Sequence, residues 1–146
     1  MNYLGIDPGK LGGIAVLYES GETLVLPYST QAILDVCRRI QYLKPRCCLE
    51  KVHAMPKQGV ASTFTFGAGW GFIKGVLESY EISYQEIPPE KWKKEFGLMK
   101  KDKKASVAVC RQLFPQANLR PSEKSRVDSD GMAEALLMAE YARRKL

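Results

Sequence analysis

Short apolar runs separated by turn residues dominate the start of the chain. They cover Tyr3–Asp7, residues 12–18 and residues 23–26, and each has the length and composition of a strand. The turns between them are short and contain glycine, which is typical of strands that pair antiparallel. The pattern therefore predicts an antiparallel meander of three strands at the start of the fold.

A helical period replaces this pattern at residues 31–43, where apolar residues recur every three or four positions. Ser29 or Thr30 is expected to cap the start of this helix. The helix ends at Pro45, and another short apolar run, Arg46–Glu50, follows. Because a helix between two strands of one sheet makes a parallel crossover, we expect Arg46–Glu50 to run parallel to the first strand.

The rest of the chain alternates helices with one more strand. We predict a strand over residues 82–87, loops over residues 52–59 and 115–127, and helices over residues 61–80, Pro89–Glu95, 102–114 and 128–146. No internal repeat or long linker divides the chain. The prediction is a single α/β domain over residues 1–146, with a central mixed five-stranded sheet flanked by helices.

Composition is that of an ordinary globular protein, with 45% apolar and 26% charged residues. No run of about 18 apolar residues occurs, so no membrane span is expected, and no signal peptide is visible. The expected location is the cytoplasm. The four cysteines form no CxxC pair and there is a single histidine, so we expect reduced cysteines and no zinc site. No small-molecule cofactor is expected either.

The charge of the chain points to an anionic partner. The formal net charge is +6 and the pI is about 9.2, and nucleic acid is the commonest partner of such a protein. Seven lysines fall within fourteen residues: Lys91, Lys93, Lys94, Lys100, Lys101, Lys103 and Lys104. A solvated helix face would also explain a lysine run, but the net charge favours DNA.

Two of the predicted strands end on a carboxylate, Asp7 in the first strand and Glu50 in the fourth. Burying an unpaired carboxylate is costly, so these side chains should face a cation. Parallel strands end at the same edge of the sheet, and ligands of open α/β sheets usually bind there. Asp7 and Glu50 are therefore expected to lie close together at that edge.

The last predicted helix adds a second pair of acids. Asp130 and Glu134 are four residues apart and share a face with apolar residues further along the helix. Like charges at this spacing repel, and a divalent cation would relieve the repulsion. Asp128 is rotated by roughly 200° from Asp130 on a helix, so its predicted role is the N-cap.

The acids that are predicted to converge from two strands and one helix are Asp7, Glu50, Asp130 and Glu134. Oxygen-only carboxylate sites suit Mg²⁺, with Mn²⁺ as the other possibility. Several carboxylates without a histidine triad suit two ions about 3.5–4 Å apart, an arrangement that cleaves phosphodiesters. The alternative is that these acids are unrelated helix caps and surface charges.

Four stretches resemble the motifs of the RuvC family of Holliday-junction resolvases, and its short phage-type members in particular. They are residues 4–9 (LGIDPG) with Gly12 or Gly13, residues 49–50 (LE) before an exposed loop and a glycine-containing helix, residues 103–106 (KKAS) and residues 130–137 (DGMAEALL). The resemblance covers essentially the whole chain. It implies an RNase H-like fold, a homodimer, and Mg²⁺-dependent symmetric nicking of four-way DNA junctions, with other branched DNA as further substrates.

The same resemblance implies roles for the acids. Asp7 and Glu50 match catalytic metal ligands of the family, and Glu134 matches its last acid. The family usually has an acid or histidine three residues before that last acid, where this chain has Gly131. Asp130 lies one residue further upstream on the same face and is the predicted ligand, with Asp128 as the fallback.

Two groups of basic residues are predicted to bind DNA, because Lys and Arg contacts to phosphates dominate DNA affinity. The first group follows Glu50 directly and the second lies around the start of the penultimate helix: Lys51, His53 and Lys57, and then Lys100, Lys101, Lys103 and Lys104. A surface-loop role is the alternative for His53.

The helix predicted over residues 61–80 combines glycines with aromatic residues. Gly67, Gly71 and Gly75 share one face, which allows another helix to approach closely. The aromatic residues in or near it are expected to pack in the core or in a dimer, with stacking on bases as the alternative: Phe64, Phe66, Trp70 and Phe72.

Three other functions share parts of this pattern. An actin-like or sugar-kinase-like ATPase half also opens with a strand that ends in Asp, but it needs a second lobe for which 146 residues leave no room. A non-catalytic junction-binding dimer with a structural ion remains open. So does a nuclease that acts on RNA–DNA hybrids, because it would use the same carboxylate chemistry.

Overall fold

The central element of the fold is a five-stranded mixed sheet. The computed structural model describes residues 1–52 and 57–146. The strands are β1 (Tyr3–Asp7), β2 (Gly13–Leu17), β3 (Thr23–Pro27), β4 (Arg46–Glu50) and β5 (Ser83–Ile87), in the order β3-β2-β1-β4-β5. β1, β2 and β3 pair antiparallel, whereas β4 runs parallel to both β1 and β5. The predicted meander and the parallel crossover are both confirmed.

Within residues 1–52 and 57–146, five α-helices flank the sheet: α1 (Thr30–Ile40), α2 (Val60–Ser79), α3 (Pro89–Glu95), α4 (Lys103–Leu113) and α5 (Asp130–Lys145). A short 3₁₀ turn, Gln41–Leu43, continues α1, so the predicted helical stretch ends where expected. Ser29 caps α1 by accepting a hydrogen bond from the Ala32 amide at 3.0 Å. The other bounds differ from prediction by one or two residues, since propensity changes gradually at helix ends.

The two faces of the sheet pack against different helices. On one face, Leu4 and Ile6 of β1 join an apolar core with residues of α1 and with the C-terminal half of α2. On the other face, α5 covers the sheet, and α3 and α4 contribute Trp92 and Cys110 to a second core. The alternation along each strand thus assigns consecutive residues to opposite helical layers.

Helix α5 is buried on almost every side, because the sheet lies on one side of it and α3 and α4 on the other. The predicted single apolar stripe was therefore too narrow, since buried residues fill α5 from Gly131 to Ala142 apart from Glu134. The helix approaches β1 so closely that a Cβ at Gly5 would lie 2.0 Å from the Ala135 carbonyl oxygen. This approach places the N-terminus of α5 beside the carboxyl end of β1.

The prediction that Asp128 caps the last helix is wrong. The N-cap of α5 is Ser129, whose hydroxyl accepts a hydrogen bond from the Met132 amide at 3.2 Å. Asp128 instead forms ion pairs with Arg111 at 3.0 Å and Arg120 at 2.8 Å. The guanidinium groups of Arg111 and Arg120 donate charge-assisted hydrogen bonds to both oxygens of Asp128, which hold its carboxylate away from the cap position.

The four cysteines are unpaired and buried, as small apolar residues would be. In the described part of the chain, no helix is both long and apolar enough to cross a membrane.

Candidate active site

A polar cleft of about 310 Å³ opens at the carboxyl end of the parallel strands, beside the N-terminus of α5. Both carboxylates and basic side chains line this cleft. The acids are Asp7, Glu50, Asp102, Asp130 and Glu134, and the bases are Lys93, Lys101 and Lys103. Asp102 is the N-cap of α4, where its side chain accepts a hydrogen bond from the Ala105 amide. The four acids that the sequence singled out are thus brought together from β1, β4 and α5.

The parallel register of the sheet brings the two strand-terminal acids together. Ile6 of β1 lies beside Leu49 of β4, so that Asp7 and Glu50 follow at neighbouring strand ends. Helix α5 begins at Asp130 and carries Glu134 one turn later, on the same side of the helix. The close packing of α5 on β1 then completes the cleft.

Asp7 is the most perturbed acid of the cleft. Burial is the main cause that raises the pKa of its carboxyl group, and the nearby carboxylates of Glu50 and Glu134 raise this pKa further. A hydrogen bond with Glu134 acts in the same direction, and Lys103 opposes it. The carboxyl group therefore lies where added positive charge would be strongly favourable.

Glu50 is held by a tryptophan. The indole Nε1 of Trp92 donates a hydrogen bond to Glu50 Oε2 at 2.9 Å, and Trp92 is fully buried. Burial raises the pKa of Glu50, while this hydrogen bond and the charge of Lys93 lower it, with a net rise. Helix α3 thus supplies both a neutral donor and a cation to the carboxylate at the end of β4.

Glu134 is held from helix α4. The hydroxyl of buried Ser106 lies 3.2 Å from Glu134 Oε1 and donates a hydrogen bond to it. Burial raises the pKa of Glu134, and the charge of Lys93 and the Ser106 hydrogen bond only partly offset this rise. At the mouth of the cleft, Lys103 Nζ lies 3.5 Å from Asp130 Oδ2.

The chemistry of the donor set fits a hard divalent cation, because the acids offer only oxygen ligands and repel one another. Within the described residues, no group of three or more His, Cys, Asp or Glu side chains is placed to hold an ion as it stands. Trp92 donates a hydrogen bond to Glu50, Ser106 donates one to Glu134, and Lys103 lies beside Asp130. The acids line one cleft without surrounding one point.

Asp128, the fallback ligand, is not among the described residues that line this cleft. Burial raises the pKa of Asp128, but hydrogen bonds from Arg120 and Arg111 overcome that influence and lower it. Arg111 also donates to the Ala117 carbonyl, and Arg120 to the Ser125 carbonyl. The geometry therefore gives Asp128 a structural place, in which it ties the loop before α5 to α4.

The predicted DNA-binding lysines divide into two sets. Lys101 and Lys103 line the cleft, whereas Lys51, Lys57, Lys100 and Lys104 are exposed outside its lining among the described residues. His53 lies outside the described residues.

Three contributors to the cleft were missed from the sequence: Lys93, Trp92 and Ser106. Lys93 belongs to the lysine run that was noted, and its position one residue after a helical tryptophan was the available signal. Ser106 ends the KKAS stretch at residues 103–106, for which the sequence predicted no contact with an acid. In the structure, Ser106 and Cys110 are the buried residues of α4. No local pattern indicated the contact of either Trp92 or Ser106 with an acid.

Helix α2 exposes much of its apolar surface. The side chains of Phe64, Phe66 and Phe72 are 78%, 36% and 39% exposed. They therefore do not pack in the core of the chain, and their packing in a dimer stays a prediction. Trp70 is partly buried and donates its indole N–H to the Glu50 backbone carbonyl at 3.2 Å. In the described part of the chain, a Cβ at Gly67 would meet no other atom within 4 Å, which leaves the glycine face of α2 open.

The order of the sheet, the crossover and the helical layers define an RNase H-like fold, with the carboxylate cleft at its carboxyl edge. No protein-family model matches the sequence, and no curated protein matches it.

Among solved structures, RuvC from Thermus thermophilus is similar over nearly the whole length of both chains. One structure has a TM-score of 0.65 and 20% sequence identity, and covers 99% of this chain and 96% of that chain. Another, RuvC in complex with Holliday junction substrate, has a TM-score of 0.63 and 15% identity, and covers 99% and 97%. The chain therefore has the RuvC-like form of the RNase H fold, and the fold that the resemblance implied is confirmed.

Proposed function

We propose that this protein is a metal-dependent endonuclease that resolves four-way DNA junctions by symmetric nicking. The observation that carries the proposal is the meeting of Asp7, Glu50, Asp130 and Glu134 with three lysines in one cleft at the carboxyl edge of the sheet. Cleavage of a phosphodiester is favoured by positive charge around the phosphate and by acids that hold catalytic cations. This cleft offers both. Such an enzyme would act in the cytoplasm of a bacterium or of a phage-infected cell.

The choice of a branched DNA substrate rests on the fold and the charge. The RuvC structure with a similar fold is in complex with a Holliday junction substrate. A net charge of +6 is suited to the dense phosphates of crossing duplexes. Replication forks and flaps are further substrates in the proposal, because they also present branched backbones.

Asp7, Glu50, Asp130 and Glu134 are the residues that would hold Mg²⁺ or Mn²⁺, with two ions in the proposed site. When bound, these ions supply a more acidic attacking water and stabilise the charge that develops on the leaving 3′ oxygen. Lys93, Lys101 and Lys103 would bind the phosphates that flank the scissile bond.

The proposal includes a homodimer, because two symmetric nicks require two clefts. Helix α2 is the surface that we propose for the contact. Its N-terminal half exposes Val60 and Phe64 at 89% and 78%, and its glycine face is open to close approach. Light scattering of the purified protein tests this part: a mass near twice 16.4 kDa supports the dimer, and a monomer at micromolar concentration contradicts it.

The central experiment is a nicking assay with end-labelled four-way junctions in Mg²⁺, Mn²⁺ and EDTA. We expect paired nicks at symmetric positions with either metal and none in EDTA. The Asp7→Asn protein should bind the junction and lose at least about a hundredfold in cutting rate, because one of the charges that stabilise the reaction is removed. Asp35→Asn, an exposed change on α1, is the matched control.

Other outcomes of the same assay separate the alternatives. Preferred cutting of an RNA–DNA hybrid would indicate that the substrate is a hybrid and not a four-way junction. Tight junction binding without nicking in either metal would indicate a non-catalytic binding protein. Undiminished cutting by Asp7→Asn would remove the proposed site.

A further inference from the structure

We propose that Trp92 and Ser106 are positioning residues, which aim the carboxylates of Glu50 and Glu134 toward the bound cations. The inference rests on the proposed metal-dependent function and adds two residues that have no metal-binding chemistry of their own. It is carried by two hydrogen bonds from buried donors on two different helices, α3 and α4.

The side chain of Trp92 lies in the core of the protein and not on the surface of the cleft. Its side chain is 0% exposed and belongs to the core between the sheet and α3, α4 and α5. The indole has one donor and no acceptor, and the donor points to Glu50 Oε2 at 2.9 Å. A rigid ring fixed in a close-packed core therefore determines where one oxygen of Glu50 lies.

Ser106 provides the same kind of contact to the acid on α5. It is 3% exposed, and its hydroxyl donates to Glu134 Oε1 at 3.2 Å. In both acids a neutral donor holds one oxygen, Oε2 of Glu50 and Oε1 of Glu134, and the second oxygen lies outside that contact. A neutral donor orients a carboxylate and leaves its negative charge intact, whereas a lysine would cancel that charge. The acid therefore keeps its attraction for a cation.

The other tryptophan offers a matched comparison. Trp70 also donates to Glu50, but to the backbone carbonyl, at 3.2 Å. The chain contains two tryptophans, so each Trp→Phe change removes one of two hydrogen bonds to the same residue. Only the loss of Trp92 frees the carboxylate.

The test compares Trp92→Phe with Trp70→Phe by titrating Mn²⁺ into the DNA-free protein and following free Mn²⁺ by electron paramagnetic resonance. We expect Trp92→Phe to weaken Mn²⁺ binding by about tenfold, the usual effect of losing a group that orients a metal ligand. Trp70→Phe should change the affinity by less than about threefold. Ser106→Ala should resemble Trp92→Phe, and Ser106→Thr should restore the affinity because it retains the hydroxyl.

A purely structural role predicts a different result, in which Trp92→Phe lowers the melting temperature and leaves Mn²⁺ affinity unchanged. That result overturns the inference while the nicking of junctions by the wild-type protein is unaffected. If the wild-type protein neither binds Mn²⁺ nor cuts a junction, the proposed function fails and the inference fails with it.

A second measurement serves if Trp92→Phe does not fold. The Trp70→Phe protein has Trp92 as its single tryptophan, so its one indole N–H signal in a ¹H–¹⁵N spectrum belongs to Trp92. We expect this signal to move when Mg²⁺ is added, and to lose that response in Trp70→Phe/Glu50→Gln. An indole signal that ignores Mg²⁺ while the protein binds the ion overturns the inference.

Discussion

Replacing Asp7 with asparagine should stabilise the metal-free protein, although it should abolish the proposed activity. The carboxyl group of Asp7 is buried against Glu50 and Glu134, and these surroundings raise its pKa above the ordinary value of 3.8. Folding therefore forces this group either to take up a proton or to bury a repelled charge. Asparagine has the same shape and keeps a polar group for Glu134, but it has no charge to bury.

The pH dependence of this cost follows from the direction of the pKa shift. A carboxyl whose pKa is raised by folding costs nothing below its unfolded pKa, and the cost grows as the pH rises above that value. Each pH unit adds at most about 1.4 kcal/mol. Starting from the ordinary value of 3.8, the advantage of Asp7→Asn is at most about 3 kcal/mol at pH 6.

The assay is thermal or urea unfolding of both proteins in EDTA, at intervals from pH 4 to pH 8. We expect the two proteins to be nearly equal at pH 4 and Asp7→Asn to become progressively more stable above it. A difference of 2 kcal/mol corresponds to roughly 4–8 °C in melting temperature for a chain of this size. The pKa values of Asp128 and Glu140 are lowered, so these acids contribute to the pH dependence of stability in the opposite direction. Both proteins contain them, and their contributions cancel in the difference in stability between Asp7→Asn and wild type.

The control is Asp35→Asn, which removes an exposed acid paired with Arg38 on the opposite side of the sheet. Adding Mg²⁺ should then reverse the order of stability, because the ion stabilises the folded wild-type protein by mass action. If Asp7→Asn is less stable than wild type in EDTA across this range, the electrostatic account of the cleft is wrong.

The remaining predictions concern packing, DNA affinity and Asp128, the fallback ligand. Gly5→Ala should destabilise the protein by more than about 3 kcal/mol, because its Cβ would lie 2.0 Å from a carbonyl oxygen of α5. Gly69→Ala, in the open interior of α2, should stabilise the protein by up to about 1 kcal/mol. Urea unfolding measures both changes. Lys103→Met should weaken junction binding and lower the salt dependence of log K by about 1 in slope, and an unchanged slope would show that Lys103 makes no phosphate contact. Asp128→Asn should lower the melting temperature through the loss of its two ion pairs and leave Mn²⁺ affinity within about twofold, so a tenfold loss of affinity would make Asp128 a ligand after all.

Much of the fold and the four acids of the cleft could be predicted from local pattern. Strands that end on an acid, and acids at helical spacing on an apolar face, are features of a few consecutive residues. The handedness and direction of a crossover then place Asp7 and Glu50 at one edge without further information. Local pattern placed the start of the last helix less well, because Asp128 and Ser129 are both good caps.

The tertiary structure alone decided which groups support those acids. Trp92 meets Glu50 across 42 positions and Ser106 meets Glu134 across 28, distances over which no periodicity extends. Asp128 resembles a cap or a ligand in the sequence, and only the folded chain brings Arg111 and Arg120 to it. The sequence by itself therefore determined the acids at the ends of the secondary-structure elements, whereas packing between elements determined how each acid is held.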